Sequence, residues 1–171
     1  MTLEEAITMA LEYENKVQRT YQNAQKKILD PVGQRVFKIL ANEEQGHIDY
    51  LRSRLEEWQT TGKVTVERLD TAIPSPKRIQ EGIKHLENHL GGKKSGGAVE
   101  TELLQQAIEV EQETSSFYQK MVQELDEIGQ ALFARFVEIE GGHLAIVQAQ
   151  LDAVTGLGFW FDMQEFQLEA G

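Results

Sequence analysis

Six side chains that can bind metal ions form two related sets in this sequence. Each set contains an isolated glutamate and, further along the chain, a Glu-x-x-His motif: Glu14, Glu44 and His47 in the first half, and Glu111, Glu140 and His143 in the second. In a helix, residues three apart lie on nearly the same face with Cβ atoms about 5–6 Å apart, so each motif can grip one ion. Carboxylates and imidazoles suit Fe(II), Mn(II) or Zn(II). The spacing therefore predicts a metal site.

The four glutamates of these sets also predict how many ions the site holds. An uncompensated carboxylate in an apolar core costs several kcal/mol, so four of them need a counter-charge. Two divalent cations would cancel four negative charges. Two metals that share carboxylates can also supply two electrons together, which fits the reduction of O2 or peroxide.

The six residues interrupt apolar rows that have the spacing of buried helix faces. Glu111 lies 97 residues after Glu14, and Glu140 lies 96 residues after Glu44, so the two halves form an internal repeat. The alternative is a rotated seam that leaves these glutamates and histidines in solvent. It would remove six otherwise core-facing residues from the core together: Tyr21, Phe37, Leu51, Tyr118, Phe133 and Val147.

The composition favours an all-α fold, with 40% hydrophobic residues and only 3 prolines. We predict four long helices, at about residues 2–29, 31–58, 98–126 and 128–154. Short turns imply two antiparallel hairpins, joined by a crossover at 59–97 that contains a short helix at 76–90. A chain of 171 residues is expected to form one domain, with an aromatic tail at 155–171.

Charge and cysteine content exclude several classes of partner and site. The net charge of −11 argues against nucleic acid and anionic membrane as partners, and no apolar run is long enough to span a bilayer. The acidic N-terminal stretch is unlike a secretory signal, so we expect a cytoplasmic protein. The absence of cysteine excludes disulfides, thiolate sites and iron–sulfur clusters.

These motifs resemble those of the ferritin-like di-iron carboxylate proteins, and among them the di-iron domain of the rubrerythrin family. The resemblance rests on ALEYENKVQRTY and AIEVEQETSSFY around the isolated glutamates, and on LANEEQGH and VEIEGGH around the Glu-x-x-His motifs. It implies a ferritin-like antiparallel four-helix bundle of two repeated hairpins. The implied roles are terminal ligands for Glu14 and Glu111, bridging ligands for Glu44 and Glu140, and one iron each for His47 and His143.

The resemblance further implies a non-haem di-iron oxidoreductase that reduces hydrogen peroxide or O2. Its cofactors would be two iron ions cycling between Fe2+ and Fe3+, with manganese or zinc as alternatives. The chain departs from rubrerythrin in having no cysteine-ligated rubredoxin-type iron, so a rubredoxin-like protein or a flavoprotein would have to donate electrons. It also has Thr114 where rubrerythrins carry an additional glutamate. The alternatives are a ferroxidase or iron-handling protein, and a structural metal-binding module without turnover.

Two tyrosines and two glycines near the predicted ligands have alternative interpretations. Tyr21 and Tyr118 each lie seven residues after an isolated glutamate, where a phenol could hydrogen-bond a ligand or relay an electron, or simply fill the core. Gly46 and Gly142 precede the two histidines in mid-helix, at a cost of about 1 kcal/mol each relative to alanine. Either another helix or a partner subunit approaches closely there, or the helix widens at the metal.

The remaining candidates lie in the crossover and the tail. His85 and His89 are four residues apart and could together hold a metal, but no second ligand pair accompanies them. The aromatic residues of the tail would either cap the bundle or bury in a homodimer contact. They are Phe159, Trp160, Phe161 and Phe166.

Overall fold

A computed structural model describes residues 1–89 and 97–163 of the chain, without the side chains of residues 85–89. Within these ranges the protein contains helices and no strand. The helices are α1 (Leu3–Lys27), α2 (Pro31–Thr61), α3 (Pro76–His89), α4 (Ala98–Glu124) and α5 (Glu127–Asp152), followed by a π-helical turn (Ala153–Leu157). Leu90, the glycine-rich end of the predicted crossover and the tail from residue 164 onward lie outside the described residues.

The helix starts follow from their capping residues. Thr2 and Glu5 form a reciprocal capping box at the start of α1. Asp30 accepts hydrogen bonds from backbone N–H groups of the first turn of α2, where Pro31 occupies the first helical position. Asp126 caps α5 in the same way. The connections between α1 and α2 and between α4 and α5, which contain Asp30 and Asp126, are only three and two residues long.

The helix ends correct the predicted boundaries. α2 continues three residues past Trp58, because no residue before Gly62 breaks the helix; Gly62 ends it with a left-handed φ of 68°. α1 and α4 each end two residues earlier than predicted, where Ile28 and Leu125 adopt extended backbone conformations. The last helix extends beyond the predicted residue 154 through the π-helical turn, which Gly158 closes with a φ of 80°.

The apolar rows predicted from the sequence face the core. Every residue of the apolar rows on α1 and α4 is buried. On α2 and α5, only the row residues near the C-terminal ends of the helices are partly exposed. The rotated-seam alternative is therefore wrong. The residues that it would have expelled are all fully buried: Tyr21, Phe37, Leu51, Tyr118, Phe133 and Val147.

The long helices pack in pairs around two apolar clusters. α1 contacts α2, α4 contacts α5, and α1 also contacts α4, while α3 packs on α5. Tyr21, Phe37 and Leu40 belong to one cluster, and Tyr118 and Phe133 to the other. None of the helices in the described ranges combines the length and apolar character that a membrane-spanning segment needs.

The start of the aromatic tail packs on the bundle. Trp160 and Phe161 are buried, and the Trp160 ring meets Phe37 edge-on with 5.8 Å between ring centroids. The Trp160 indole N–H donates a hydrogen bond to Glu100 at 3.0 Å. The predicted capping of the bundle is thus confirmed for Trp160 and Phe161, whereas Phe166 lies outside the described residues and the homodimer stays a prediction.

A substitution at Gly33 tests this contact between the tail and the bundle. A Cβ at Gly33 would lie 2.8 Å from both Ile28 Cγ2 and the Trp160 ring, whereas a Cβ at Gly46 would meet nothing within 4 Å. Gly33→Ala should therefore lower the free energy of unfolding by about 1–3 kcal/mol through overpacking. Gly46→Ala, the matched control, should raise it by about 0.5–1 kcal/mol through helix propensity. Urea unfolding measures both, and equal effects would contradict the tail contact.

Candidate metal centre

The structure brings the six predicted ligands together in one buried cluster. Glu14, Glu44, Glu111, Glu140 and His143 are 0% exposed, and His47 is 1% exposed. Their potential ligand atoms form two overlapping sets, each with all atoms within 4.8 Å of one another. The sets are Glu14, Glu44, His47 and Glu140, and Glu44, Glu111, Glu140 and His143. Glu44 and Glu140 thus belong to both sets.

Each set is centred on the Nδ1 atom of one histidine. His47 Nδ1 lies 3.3 Å from Glu14 Oε2, 3.4 Å from Glu44 Oε2 and 3.3 Å from Glu140 Oε1. His143 Nδ1 lies 2.8 Å from Glu44 Oε1, 3.6 Å from Glu111 Oε1 and 3.9 Å from Glu140 Oε2. The two imidazole rings stack with 5.2 Å between centroids and 15° between planes. Both rings therefore direct the same edge at the carboxylates.

The two tyrosines tie the halves of the repeat together. The Tyr21 hydroxyl on α1 donates to Glu111 on α4, and the Tyr118 hydroxyl on α4 donates to Glu14 on α1. Each phenol thus bonds the glutamate of the other helix, although it follows the glutamate of its own helix by seven residues. Such bonds hold a ligand carboxylate in one orientation. The predicted hydrogen bonds from the tyrosines to these glutamates are confirmed, whereas the ligand role of the glutamates and the electron relay stay predictions.

Several buried atoms of the cluster have no hydrogen-bond partner, which tests whether a metal fits. They are Glu44 Oε2, His47 Nε2, Glu111 Oε2, Glu140 Oε1 and Glu140 Oε2. A buried acceptor without a donor costs about 1–3 kcal/mol, so four such carboxylate oxygens in one place are expensive. A cation among them would satisfy these oxygens at once. The cluster could therefore hold a metal ion.

The shared glutamates hold protons in the metal-free protein. Burial and the charge of Glu14 raise the pKa of Glu44 to about 8. Burial and the charges of Glu111 and Glu14 raise the pKa of Glu140 well above its ordinary value. Both carboxyl groups would have to lose these protons to bind a metal, because the ligand form is the carboxylate.

The other four ligands form the charged part of the cluster. Burial alone would raise the pKa of Glu14, but the charge of His47 and hydrogen bonds, including that from Tyr118, lower it to about 2. Burial also raises the pKa of Glu111, but hydrogen bonds with His143, Glu140 and Tyr21 and the charge of His143 together lower it below its ordinary value. Burial alone would lower the pKa of each histidine, but the surrounding carboxylates raise both well above the usual value. The negative charges of two carboxylates and the positive charges of two imidazolium rings then cancel.

Glu43 is a fifth glutamate at the centre, which the sequence reasoning missed. Its Oε2 atom lies 3.4 Å from His143 Nε2 and accepts a hydrogen bond from the Thr71 hydroxyl at 2.8 Å, while its Oε1 atom accepts one from the Ala72 N–H at 2.7 Å. The residue 96 positions later is Ile139, so the repeat gave no signal. The available signal was its position four residues before His47, on the same side of α2.

Thr114 and the two glycines that precede the histidines have different surroundings. Thr114 is buried, but its hydroxyl donates to the Val110 carbonyl of its own helix at 2.8 Å and belongs to neither ligand set. A Cβ at Gly142 would lie 3.4 Å from the Pro74 carbonyl oxygen, so the close neighbour there is the crossover segment and not another helix. No helix approaches Gly46, where an added Cβ would meet nothing within 4 Å, and approach of a partner subunit stays a prediction. Helix widening is wrong at both, since α2 and α5 are regular α-helix through them.

Comparisons with known proteins give no information on the site, so its interpretation depends on its geometry alone. A scan against protein-family models gives no match, and searches of curated proteins and of solved structures give none either.

The predicted metal pair His85 and His89 stays a prediction, because the side chains of both residues lie outside the described part of the chain.

The raised pKa of Glu44 predicts how pH affects the metal-free protein. Between pH 4.5 and about 8 folded Glu44 keeps a proton that the unfolded chain has lost, so stability must fall as pH rises through this window. The raised pKa values of His47 and His143 act in the same direction above about pH 6.5. Thermal unfolding of chelator-treated protein at pH 5, 6.5 and 8 should show that the free energy of unfolding falls by a few kcal/mol as pH rises.

Glu44→Gln provides the control for this pH effect, because glutamine cannot ionise. The variant should show a shallower fall in stability over the same pH range. A metal-free protein whose stability stays constant or rises between pH 5 and 8 would contradict the assigned protonation of the cluster.

Proposed function

We propose that this protein is a non-haem di-iron oxidoreductase of rubrerythrin type. It would reduce hydrogen peroxide or O2 with electrons from an external donor. The observation that carries the proposal is the pair of overlapping four-residue sets that share Glu44 and Glu140. Shared carboxylates are what a pair of closely spaced metal ions requires, since each bridging group contacts both ions.

The helix contacts support a ferritin-like arrangement of two hairpins. α1 packs on α2 and α4 packs on α5, with the ligands at matching positions of the two pairs. Gln59, near the end of α2, donates a hydrogen bond to Glu4, near the start of α1, as expected for antiparallel helices. In the ferritin-like proteins such a bundle carries one glutamate from each of two helices and one Glu-x-x-His from each of the other two.

The donor set is compatible with iron, and the proposed redox chemistry favours iron over zinc. Four carboxylates and two imidazoles are ligands for Fe(II), Mn(II) or Zn(II), and cysteine is absent. Two ferrous ions held here would supply the two electrons that reduce peroxide to water. Redox cycling is the reason for proposing iron over zinc, which cannot change its oxidation state.

The protein's own residues prepare the site for this chemistry. Glu44 and Glu140 would bridge the two ions, while Glu14 and Glu111 would each bind one. The phenols of Tyr118 and Tyr21 hold these outer carboxylates in place through hydrogen bonds. Apolar clusters on both sides exclude bulk water, which strengthens every electrostatic interaction inside.

A structural metal-binding module is the second candidate, and two observations favour it. The six ligands are almost completely closed off from solvent. Position 114 is a threonine whose hydroxyl bonds its own helix, so this position offers no carboxylate toward which a metal could shift. Such a module would bind metal tightly without redox cycling.

One experiment separates the two candidates. Chelator-treated protein is loaded with Fe(II) under anaerobic conditions, its metal content is measured, and absorption spectra are recorded before and after one equivalent of peroxide. We expect about two irons per chain, as the shared carboxylates require, and prompt ferric absorption. Two irons inert to peroxide would favour the structural module, and one iron or none would contradict the proposed centre.

Substitution of a shared ligand tests the assignment of the residues. Glu44→Ala should abolish binding of both ions, because Glu44 belongs to both sets, and His143→Ala should abolish it by removing one histidine ligand. Glu138→Ala on α5 is the matched control, since Glu138 is 69% exposed and outside the cluster. Circular dichroism verifies that each variant is folded. Retention of two ions per chain by Glu44→Ala would reject the ligand set.

A further inference from the structure

A cavity of about 330 Å³ lies beside the metal centre, between α2 and the crossover segment. Its α2 wall includes Glu43, Gly46 and His47, and its crossover wall includes Leu69 and Asp70. Water occupies about 30 Å³ per molecule, so the cavity has room for a metal ion with several of its water ligands. Gly46 contributes to this space, since nothing lies within 4 Å of where its Cβ would be.

The wall of the cavity nearest the centre presents an unpartnered histidine nitrogen. His47 is 1% exposed and directs Nδ1 at the carboxylates, so its opposite edge borders the cavity. That edge carries Nε2, which has no hydrogen-bond partner. A buried polar atom in this state is costly unless something binds it.

Glu43 completes a third set of potential ligands at this place. One atom each from Glu43, His47 and His143 lie within 4.8 Å of one another. Glu43 Oε2 lies 3.4 Å from His143 Nε2, on the side of the ring opposite to the inner carboxylates. The Glu43 side chain keeps 11% exposure, in contrast to the closed inner ligands.

The crossover segment holds Glu43 in position without sealing it off. The Thr71 hydroxyl and the Ala72 N–H donate to the two different oxygens of the Glu43 carboxylate. A carboxylate accepts about four hydrogen bonds or metal contacts, so it can still bind a cation. Glu43 therefore presents its charge toward the two histidines.

Charge distinguishes this cavity from its neighbour near the other histidine. Asp70 and Glu43 line the cavity, and no lysine or arginine is among the described residues around it. The neighbouring cavity, of about 470 Å³, has Ile139 at the repeat position of Glu43, and its charged lining residues, Arg135 and Glu138, pair with each other at 2.7 Å. A divalent cation would therefore be attracted more strongly to the first cavity than to the second.

From these observations we infer that the cavity beside His47 is the route by which divalent metal ions reach the centre. Glu43 and the Nε2 edges of His47 and His143 form a docking site on that route. This inference rests on the proposed function. Docking at an Nε2 atom displaces the proton that each imidazolium ring of the metal-free protein carries there, as binding in the centre also does. The docking site is transient, because a neutral imidazole bound to metal through Nδ1 carries its proton on Nε2 and cannot bind a second ion there.

The test measures the rate of metal uptake by chelator-treated protein, with Co²⁺ alone as the probe. Co²⁺ accepts the same ligands as Fe(II), and its visible absorption reports binding without a redox step. Glu43→Gln keeps the shape of the side chain and removes its charge. Uptake should slow by about tenfold or more, as expected when electrostatic attraction is lost, while the final Co²⁺ content stays unchanged. Glu138→Gln, which borders the other cavity, should keep the original rate.

A second pair of variants blocks the route without changing any charge. Gly46→Leu would fill the cavity, whereas Gly141→Leu would place the same side chain beside the other cavity. Neither added Cβ meets an atom within 4 Å, and circular dichroism verifies that both variants are folded. Gly46→Leu should slow Co²⁺ uptake, and Gly141→Leu should leave it unchanged.

The outcomes separate this inference from the proposed function. Failure of the unmodified protein to bind Co²⁺ would overturn the metal centre itself. Normal binding with equal uptake rates in Glu43→Gln and Glu138→Gln would overturn the route alone. Loss of bound Co²⁺ from Glu43→Gln at equilibrium would also overturn it, since Glu43 would then be a permanent ligand.

Discussion

The structure depends on one electrostatic constraint: four glutamates lie at the centre of a helical bundle, and no lysine or arginine of the described part of the chain is paired to them. Their charge must be balanced by protons or by metal ions. In the metal-free protein, protons on Glu44, Glu140 and the two histidines provide that balance. In the proposed loaded protein, two divalent ions replace these protons, so metal affinity and folding stability are coupled through the same atoms.

The rest of the fold is organised around this polar layer. Apolar side chains form one cluster on each side of it, and the two tyrosines cross between α1 and α4 to fix the outer carboxylates. The internal repeat explains why the two ligand sets are alike. It is broken at Glu43, whose counterpart is Ile139, and this difference makes the surroundings of the two histidines unequal.

Sequence periodicity predicted the helices and the cluster because both depend on which face of a helix is buried. Glu14 and Glu111 could be identified since each interrupts an apolar row at a repeat position. Glu43 could not, because its role depends on the crossover segment, whose course has no periodic signal. The same limit explains Gly46 and Gly142, which have equivalent sequence positions and yet face open space and the Pro74 carbonyl, respectively.

The most direct test of the central claim is anomalous diffraction from crystals of the iron-loaded protein. The account predicts two iron peaks inside the cluster, about 3.5–4 Å apart, as in other two-metal sites. Glu44 and Glu140 should contact both ions, and His47 and His143 should contact one each. A single peak, or iron bound only to exposed carboxylates, would contradict the claim that this cluster is a di-iron centre.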